Sequence, residues 1–321
     1  MAERKPPLVR TAVSTMALFA VFLGACSSGE SATEPPAGST ATATAATPAA
    51  GAGATMADQH EGDRPDPSPI SEPAPRLPVT AETVTYTTVA DQAIQGYLAR
   101  PQDQAPVAAL VVIHEWWGLN DNIRAMTDRL AGEGYLALAV DLYNGATADA
   151  PEVARTLVEG VAADPEAAKT NLAGAYTYLL TQMQTLNPDL AAQNTEAKVG
   201  SIGWCFGGAW SLQTALLLPT ELDAAVIYYG RLETDPEVLQ TLEVPILGLF
   251  GGQDRSPDPA TVNTFEQTLQ QLGKSIEVHV YPDAGHAFAN PSGTRYNPEA
   301  ATDAWQKTIA FLQQNLQTAT P

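Results

Sequence analysis

The spacing of hydrophobic residues changes repeatedly along the chain, and each change marks an element. Thr83 to Ala90 alternates apolar and polar positions, and Ile94 to Ala99 resumes after a short turn at Asp91-Gln92. A period of two across a tight turn predicts an antiparallel hairpin at a sheet edge. Val107 to Ile113 is a continuous apolar run, bounded by Pro106 and by His114-Glu115. Such runs suit strands covered on both faces. Tyr135 to Val140, Val199 to Ile202, Ala224 to Tyr229, Ile246 to Phe250 and Ile276 to Tyr281 read in the same way. Between them the period lengthens. Asn120 to Ala131 places Ile123, Met126, Thr127 and Leu130 at helical spacing, with Asn120 as cap. Pro151 to Glu159, Pro165 to Gln182, Gly207 to Leu218, Pro259 to Leu272 and Asn297 to Leu316 are further helices, four of them with proline in or next to the first turn. Alternation of strand and helix predicts an α/β fold with a mostly parallel, doubly wound sheet, helices on both faces and an N-terminal antiparallel hairpin.

This pattern occupies residues 81–321, a suitable length for one domain. The first 25 residues differ. Arg4, Lys5 and Arg10 precede an uncharged, mostly apolar stretch from Thr11 to Phe22, which is short for a permanent membrane span. Leu23-Gly24-Ala25-Cys26 follows and resembles a bacterial lipobox. The expectation is a signal peptide over residues 1–25, cleavage before Cys26, and lipidation of Cys26. An exported protein held to the cell envelope by that lipid would result. Residues 26–80 are rich in Ala, Thr, Ser, Pro and Gly and lack Phe, Trp and Tyr. They bury too little apolar surface to offset ordering, so a disordered spacer is expected.

Charge narrows the partners. The chain carries 36 acidic and 16 basic side chains, for a net charge of −20. No nucleic-acid partner is expected from such a balance, because phosphate contacts need clustered Lys and Arg. Two cysteines cannot build a disulfide framework, and lipidation of Cys26 would leave Cys205 as the one free thiol.

The chemistry converges on three loop segments. Gly203-Trp204-Cys205-Phe206-Gly207-Gly208 lies between a predicted strand and a predicted helix, the context of a nucleophile elbow. Glycines permit a sharp turn there, and a helix N-terminus favours thiolate at Cys205. The N–H of Phe206 would face the same space and could stabilise an oxyanion. Asp254 follows one strand and His286 follows the next, so the chain order Cys, Asp, His matches that of α/β-hydrolase triads. Cys205 would attack an ester or lactone carbonyl, His286 would move the proton, and Asp254 would hold the imidazole. A fourth segment, His114-Glu115-Trp116-Trp117-Gly118, follows the strand expected to border the elbow strand. It places Glu115 near Cys205 and supplies the second oxyanion donor, with His114 read as a supporting core residue. Trp116, Trp117, Tyr143, Tyr229 and Phe288 are candidates to line an apolar pocket.

Those segments, with Asp141-Leu142-Tyr143, Tyr228-Tyr229-Gly230, Gly252-Gln253-Asp254 and Gly285-His286-Ala287-Phe288-Ala289, carry a resemblance. Over residues 81–316 the chain resembles the dienelactone hydrolase (carboxymethylenebutenolidase) family of α/β hydrolases. The resemblance implies a Cys205, Asp254, His286 triad and an acyl-enzyme. It also implies Glu115 as the acidic residue that helps generate thiolate, and an oxyanion hole of the Trp116 and Phe206 amides. No metal and no cofactor are implied. The partners expected are a small ester or lactone and, through Cys26, a membrane; the protein is expected to be a monomer. Well-known members hold a substrate carboxylate with two arginines. This chain has Asn290 at one of those places and Asn144-Gly145 at the other, with Arg231 or Arg295 left as substitutes. Dienelactone itself is therefore not the expected physiological substrate. Two alternatives remain open: a broad carboxylesterase or thioesterase, and a non-catalytic surface-binding lipoprotein.

Overall fold

The alternating segment at the start of the body forms two long strands, β1 (Val79–Val89) and β2 (Gln92–Pro101), paired antiparallel from Val79↔Pro101 to Val89↔Gln92. Ala90 and Asp91 join them, both at positive φ (46° and 63°). Two successive left-handed residues match the twist of flanking strands, which places the turn one residue earlier than the sequence suggests. The computed structural model describes residues 60, 73–192 and 196–317, all within one unit spanning residues 49–321.

Six more strands complete the sheet: β3 (Ala109–Ile113), β4 (Leu136–Val140), β5 (Val199–Trp204), β6 (Ala224–Tyr228), β7 (Ile246–Gly251) and β8 (Ile276–Tyr281). Their order is β1-β2-β4-β3-β5-β6-β7-β8. β2 meets β4 antiparallel, and every pairing beyond it is parallel. The mostly parallel, doubly wound sheet with an antiparallel edge is thus the observed architecture.

β3 to β7 are buried at every position, which is why their sequences run apolar without alternation. Pleating still divides their side chains. Leu110 and Val112 enter one core, while Ala109, Val111 and Ile113 enter the other. The first core is closed by α1 (Asp121–Gly132), through Ile123, Met126 and Leu130, and by α8 (Pro298–Leu316), through Ala304 and Leu312. The second is closed by α3 (Pro165–Leu186), α5 (Phe206–Leu217) and α7 (Pro259–Gln271), through Leu172, Leu179, Leu212, Phe265 and Leu269. α2 (Pro151–Ala163) buries little beyond Ala154. Two short helices, α4 (Pro188–Ala192) and α6 (Pro236–Leu239), have no counterpart in the sequence reading, since one turn is too short to show a period. Asn120 caps α1 as expected, its side chain accepting from Ile123 N.

The body reaches further toward the N-terminus than residue 81. Leu77 N donates to Gly132 O at 3.2 Å, Arg76 pairs with Glu133 at 3.4 Å, and Val79 and Thr80 already belong to β1. Residues 73–80, read as the end of the spacer, are therefore part of the fold. The signal peptide over 1–25, Cys26 and the rest of the spacer lie outside the described residues, with the exception of His60. Among the described residues no helix is long and apolar enough to cross a membrane.

Candidate active site

Strand order reverses between β3 and β5, and the carboxyl ends of strands at such a switch point are the usual place for a ligand in an open α/β sheet. β5 ends at Trp204 and α5 begins at Phe206, which leaves Cys205 alone to make the turn at φ 55°, ψ −115°. A non-glycine residue at positive φ is strained and persists only when its surroundings enforce it. Here the enforcement is close packing. A Cβ on Gly203 would lie 2.1 Å from Gly207 O, and a Cβ on Gly207 would lie 2.2 Å from Ile113 O. Cys205 N donates to Tyr228 O at 3.0 Å, and its carbonyl accepts from Ala209 N at 3.2 Å.

Cys205, at the tip, is 2% exposed. The backbone N–H groups of Phe206 and Trp116 both hydrogen-bond toward it, one from each strand end. Burial pushes the Cys205 thiol well above its ordinary value, and the nearby carboxylates of Glu115 and Asp254 push it the same way; those two N–H groups act in the opposite sense. Glu115 is itself buried and accepts from Asn290 Nδ2 at 2.5 Å and from Tyr229 OH at 3.4 Å. Burial and then Glu115 raise the Tyr229 phenol, so it stays a donor.

His286 and Asp254 meet at 2.8 Å through Nδ1 and Oδ2, with side chains 4% and 0% exposed. The other oxygen, Asp254 Oδ1, accepts from Ser256 N at 2.9 Å. The backbones carrying the pair pack tightly, since a Cβ on Gly251 would lie 2.6 Å from Ala284 O. His286 Nε2 is buried and has no hydrogen-bond partner among the described residues. A ring nitrogen of His286 and Cys205 Sγ lie within 4.8 Å of each other. The structure thus gathers Cys205, Asp254, His286, Glu115 and the amides of Trp116 and Phe206 around one point.

The supporting residues divide by contact. His114 is fully buried; its Nδ1 lies 2.6 Å from Glu115 O, and Leu142 N donates to its Nε2 at 3.2 Å. That pattern requires the Nδ1–H tautomer, and burial lowers its pKa, so it is a neutral brace between the loops after β3 and β4. Tyr143 OH donates to Trp116 O at 3.1 Å, and its ring sits 4.6 Å from His114. Asp141 shapes that loop by accepting from the N–H groups of Tyr143 and Gly145. Trp117 packs on Trp116 at 4.8 Å. Tyr229 lies 5.2 Å from the His286 ring, whereas Phe288 packs among Tyr228, Tyr229 and Tyr281. Asn290 joins the site through Glu115, and its Oδ1 accepts from Ser292 N and Oγ.

One residue was missed. His60 comes from the expected spacer, yet it is fully buried with Nε2 3.5 Å from Cys205 Sγ. Its ring stacks on Trp116 at 4.4 Å and stands edge-on to His286 at 5.1 Å. The sequence signal was faint: a single histidine in a segment otherwise without aromatic rings. Beyond it, a cleft of about 750 Å³ opens on the Asp254 and His286 side, walled also by Gln253, Arg255, Arg295 and Tyr296. Arg295 stands in this wall and Arg231 does not.

A strained cysteine between parallel strand and helix, with an acid and a histidine on the next loops, defines an α/β hydrolase by fold and site layout. Comparison with known proteins makes the assignment more specific. Residues 94–316 match the model of the dienelactone hydrolase family, and the chain belongs to that family and is a hydrolase. A "putative carboxymethylenebutenolidase" of Saccharolobus solfataricus is 34% identical over 247 residues, covering 68% of this chain and 93% of that one. One of Escherichia coli K12 with the same name is 31% identical over 274 residues, covering 80% and 96%. Among solved structures, a "putative dienelactone hydrolase" of Klebsiella pneumoniae superposes with TM-score 0.63 at 28% identity, covering 74% of this chain and 99% of that one.

Proposed function

We propose that the protein hydrolyses carboxylic esters or lactones through a Cys205, His286, Asp254 triad and an acyl-enzyme. The observation carrying this reading is the convergence on one sulfur of two backbone N–H donors and a histidine already bound to a buried carboxylate. Cys205 attacks the carbonyl carbon while His286 Nε2 takes the thiol proton, and the carbonyl oxygen gathers charge between the N–H groups of Phe206 and Trp116. The proton then passes from His286 to the departing alkoxide. Water attacks the thioester, gives a proton to His286, and releases the acid and the thiol. Asp254 keeps Nδ1 protonated and steadies the imidazolium. The family resemblance implies that Glu115 helps generate thiolate when substrate binds; it would do so as a proton acceptor beside the sulfur, passing the proton on to His286, since its charge alone opposes the thiolate.

Substrate class follows from what surrounds Glu115. Asn290 is neutral and already committed to that carboxylate, so it offers no cation to a substrate acid. The names of the relatives point to a lactone; the geometry here favours uncharged esters and lactones, with Arg255 and Arg295 as the cations in the cleft wall. Iodoacetamide tests the nucleophile. Complete alkylation of Cys205 should abolish turnover of p-nitrophenyl acetate without unfolding the protein, and undiminished turnover after complete alkylation would refute the triad. The charged start, short apolar stretch and Leu23-Gly24-Ala25-Cys26 sequence support a second proposal, that the protein is exported and anchored through lipidated Cys26. Mass spectrometry of the protein extracted from host membranes should find a diacylglyceryl group on Cys26, and an unmodified or retained N-terminus would overturn it.

A further inference from the structure

His60 has no part in the hydrolytic steps above, yet it lies against their nucleophile. A ring nitrogen of His60, Cys205 Sγ and a ring nitrogen of His286 all fall within 4.8 Å of one another, and all three side chains are buried. A tetrahedral zinc with about 2.3 Å to sulfur and about 2.05 Å to nitrogen separates its ligand atoms by about 3.4–3.6 Å. The 3.5 Å between Cys205 and His60 already has that value. The other separations need to close by no more than about 1.4 Å, within the reach of small side-chain rotations.

A second observation points to the same ligand. His286 Nε2 is sealed from solvent without a hydrogen-bond partner among the described residues, while Nδ1 is held by Asp254 at 2.8 Å. A carboxylate behind a histidine whose far nitrogen faces a common centre is the usual outer support of a metal ligand. The surroundings agree: the buried carboxylate of Asp254 lies 2.8 Å from His286 Nδ1, a negative group beside the three donors that a cation would complement. Two imidazoles and one thiolate are borderline-soft donors, which select zinc-like ions over magnesium or calcium.

We propose that His60, Cys205 and His286 form a three-ligand site for a thiophilic divalent cation, Zn²⁺ fitting best, and that the bound ion holds the hydrolase inactive until it is withdrawn. Binding replaces the thiol proton, which leaves to solvent as the sulfur–metal bond forms. With sulfur and imidazole both ligated, neither attack nor proton transfer can begin. The inhibitory consequence rests on the hydrolase reading; the site does not.

The test uses purified, chelator-treated protein and Co²⁺ as the probe. One Co²⁺ per chain should produce a thiolate-to-cobalt charge-transfer band with intense four-coordinate visible bands, and Zn²⁺ should bleach both. In parallel, Zn²⁺ should stop p-nitrophenyl acetate hydrolysis at the same stoichiometry, and EDTA should restore it. His60→Gln should weaken Co²⁺ binding by about tenfold or more, as loss of a ligand demands, with each variant's inhibition referred to its own metal-free rate. His60→Cys, kept reduced, should retain the charge-transfer band. Circular dichroism reports folding of each variant. Absence of the band in the unaltered protein, or unchanged Co²⁺ affinity in folded His60→Gln, would overturn the site. Esterase activity absent with and without metal would sink the hydrolase reading instead, and the cobalt spectrum would still decide the site.

Discussion

Adding one methyl group at Gly207 should disable the site without touching a reacting atom. A Cβ there would lie 2.2 Å from Ile113 O, 2.5 Å from His114 O and 2.7 Å from Ile113 C. All three are backbone atoms, so no side chain can rotate aside. Restoring a tight but tolerable 3.2 Å requires the first turn of α5 to retreat from β3 by about 1 Å. Cys205 and the Phe206 N–H move with α5; Trp116 and Glu115 stay with β3. A misplacement of about 1 Å between reacting groups can cost ~100-fold, equal to about 2.7 kcal/mol of barrier. Overpacking of this kind also costs about 1–3 kcal/mol of stability, and each kcal/mol lowers the melting temperature of a domain this size by about 2–4 °C. The assay is kcat/KM on p-nitrophenyl acetate for Gly207→Ala at a temperature where the variant is folded, with Gly160→Ala as control. A Cβ on Gly160, in α2, meets nothing within 4 Å, so the control should keep full activity and gain about 0.5–1 kcal/mol. Activity of Gly207→Ala within about threefold of the unaltered protein would refute the claim that the elbow's position is set by this contact.

Other outcomes follow from neighbouring groups. Glu115→Gln removes a negative charge that holds the Cys205 thiol above its ordinary value, so thiolate should form at lower pH. The rate of iodoacetamide alkylation against pH should shift its midpoint downward, and an unmoved midpoint would exclude Glu115 as a neighbour of the sulfur. Asn171→Ala cuts a buried ring in which Tyr86 OH donates to Asn171 Oδ1, Asn171 Nδ2 donates to Asp141 O, and Asp141 N donates to Tyr86 OH. Urea unfolding should show a loss of about 2 kcal/mol, and a loss below about 0.5 kcal/mol would mean that the ring contributes little.

Strand and helix positions were legible because each element has a period long enough to register. β3 announces itself as an unbroken apolar run, and α1 as Ile123, Met126 and Leu130 on one face beneath the Asn120 cap. The elbow was legible for a steric reason. Gly203 and Gly207 stand where no side chain fits, so the sequence around Cys205 has little freedom to vary. His60 was not legible. It lies far along the chain from the elbow, in a segment whose composition argues only against a core, and nothing local encodes its fit against Trp116. Asn290 was read as a substrate contact in place of an arginine. Its partnership with Glu115 across 175 positions is a tertiary fact that no spacing along the chain reveals.

The elevated thiol described at Cys205 has a consequence for the idle molecule. Peroxide and stray electrophiles consume thiolates far faster than thiols, and here burial and the neighbouring carboxylates hold the Cys205 thiol above its ordinary value, which favours the protonated form. In the metal-free molecule the group is thus chemically quiet while its surroundings stay as they are. On the mechanism proposed above, such a sulfur would survive idle periods intact, and its reactivity would have to be drawn out by the bound substrate.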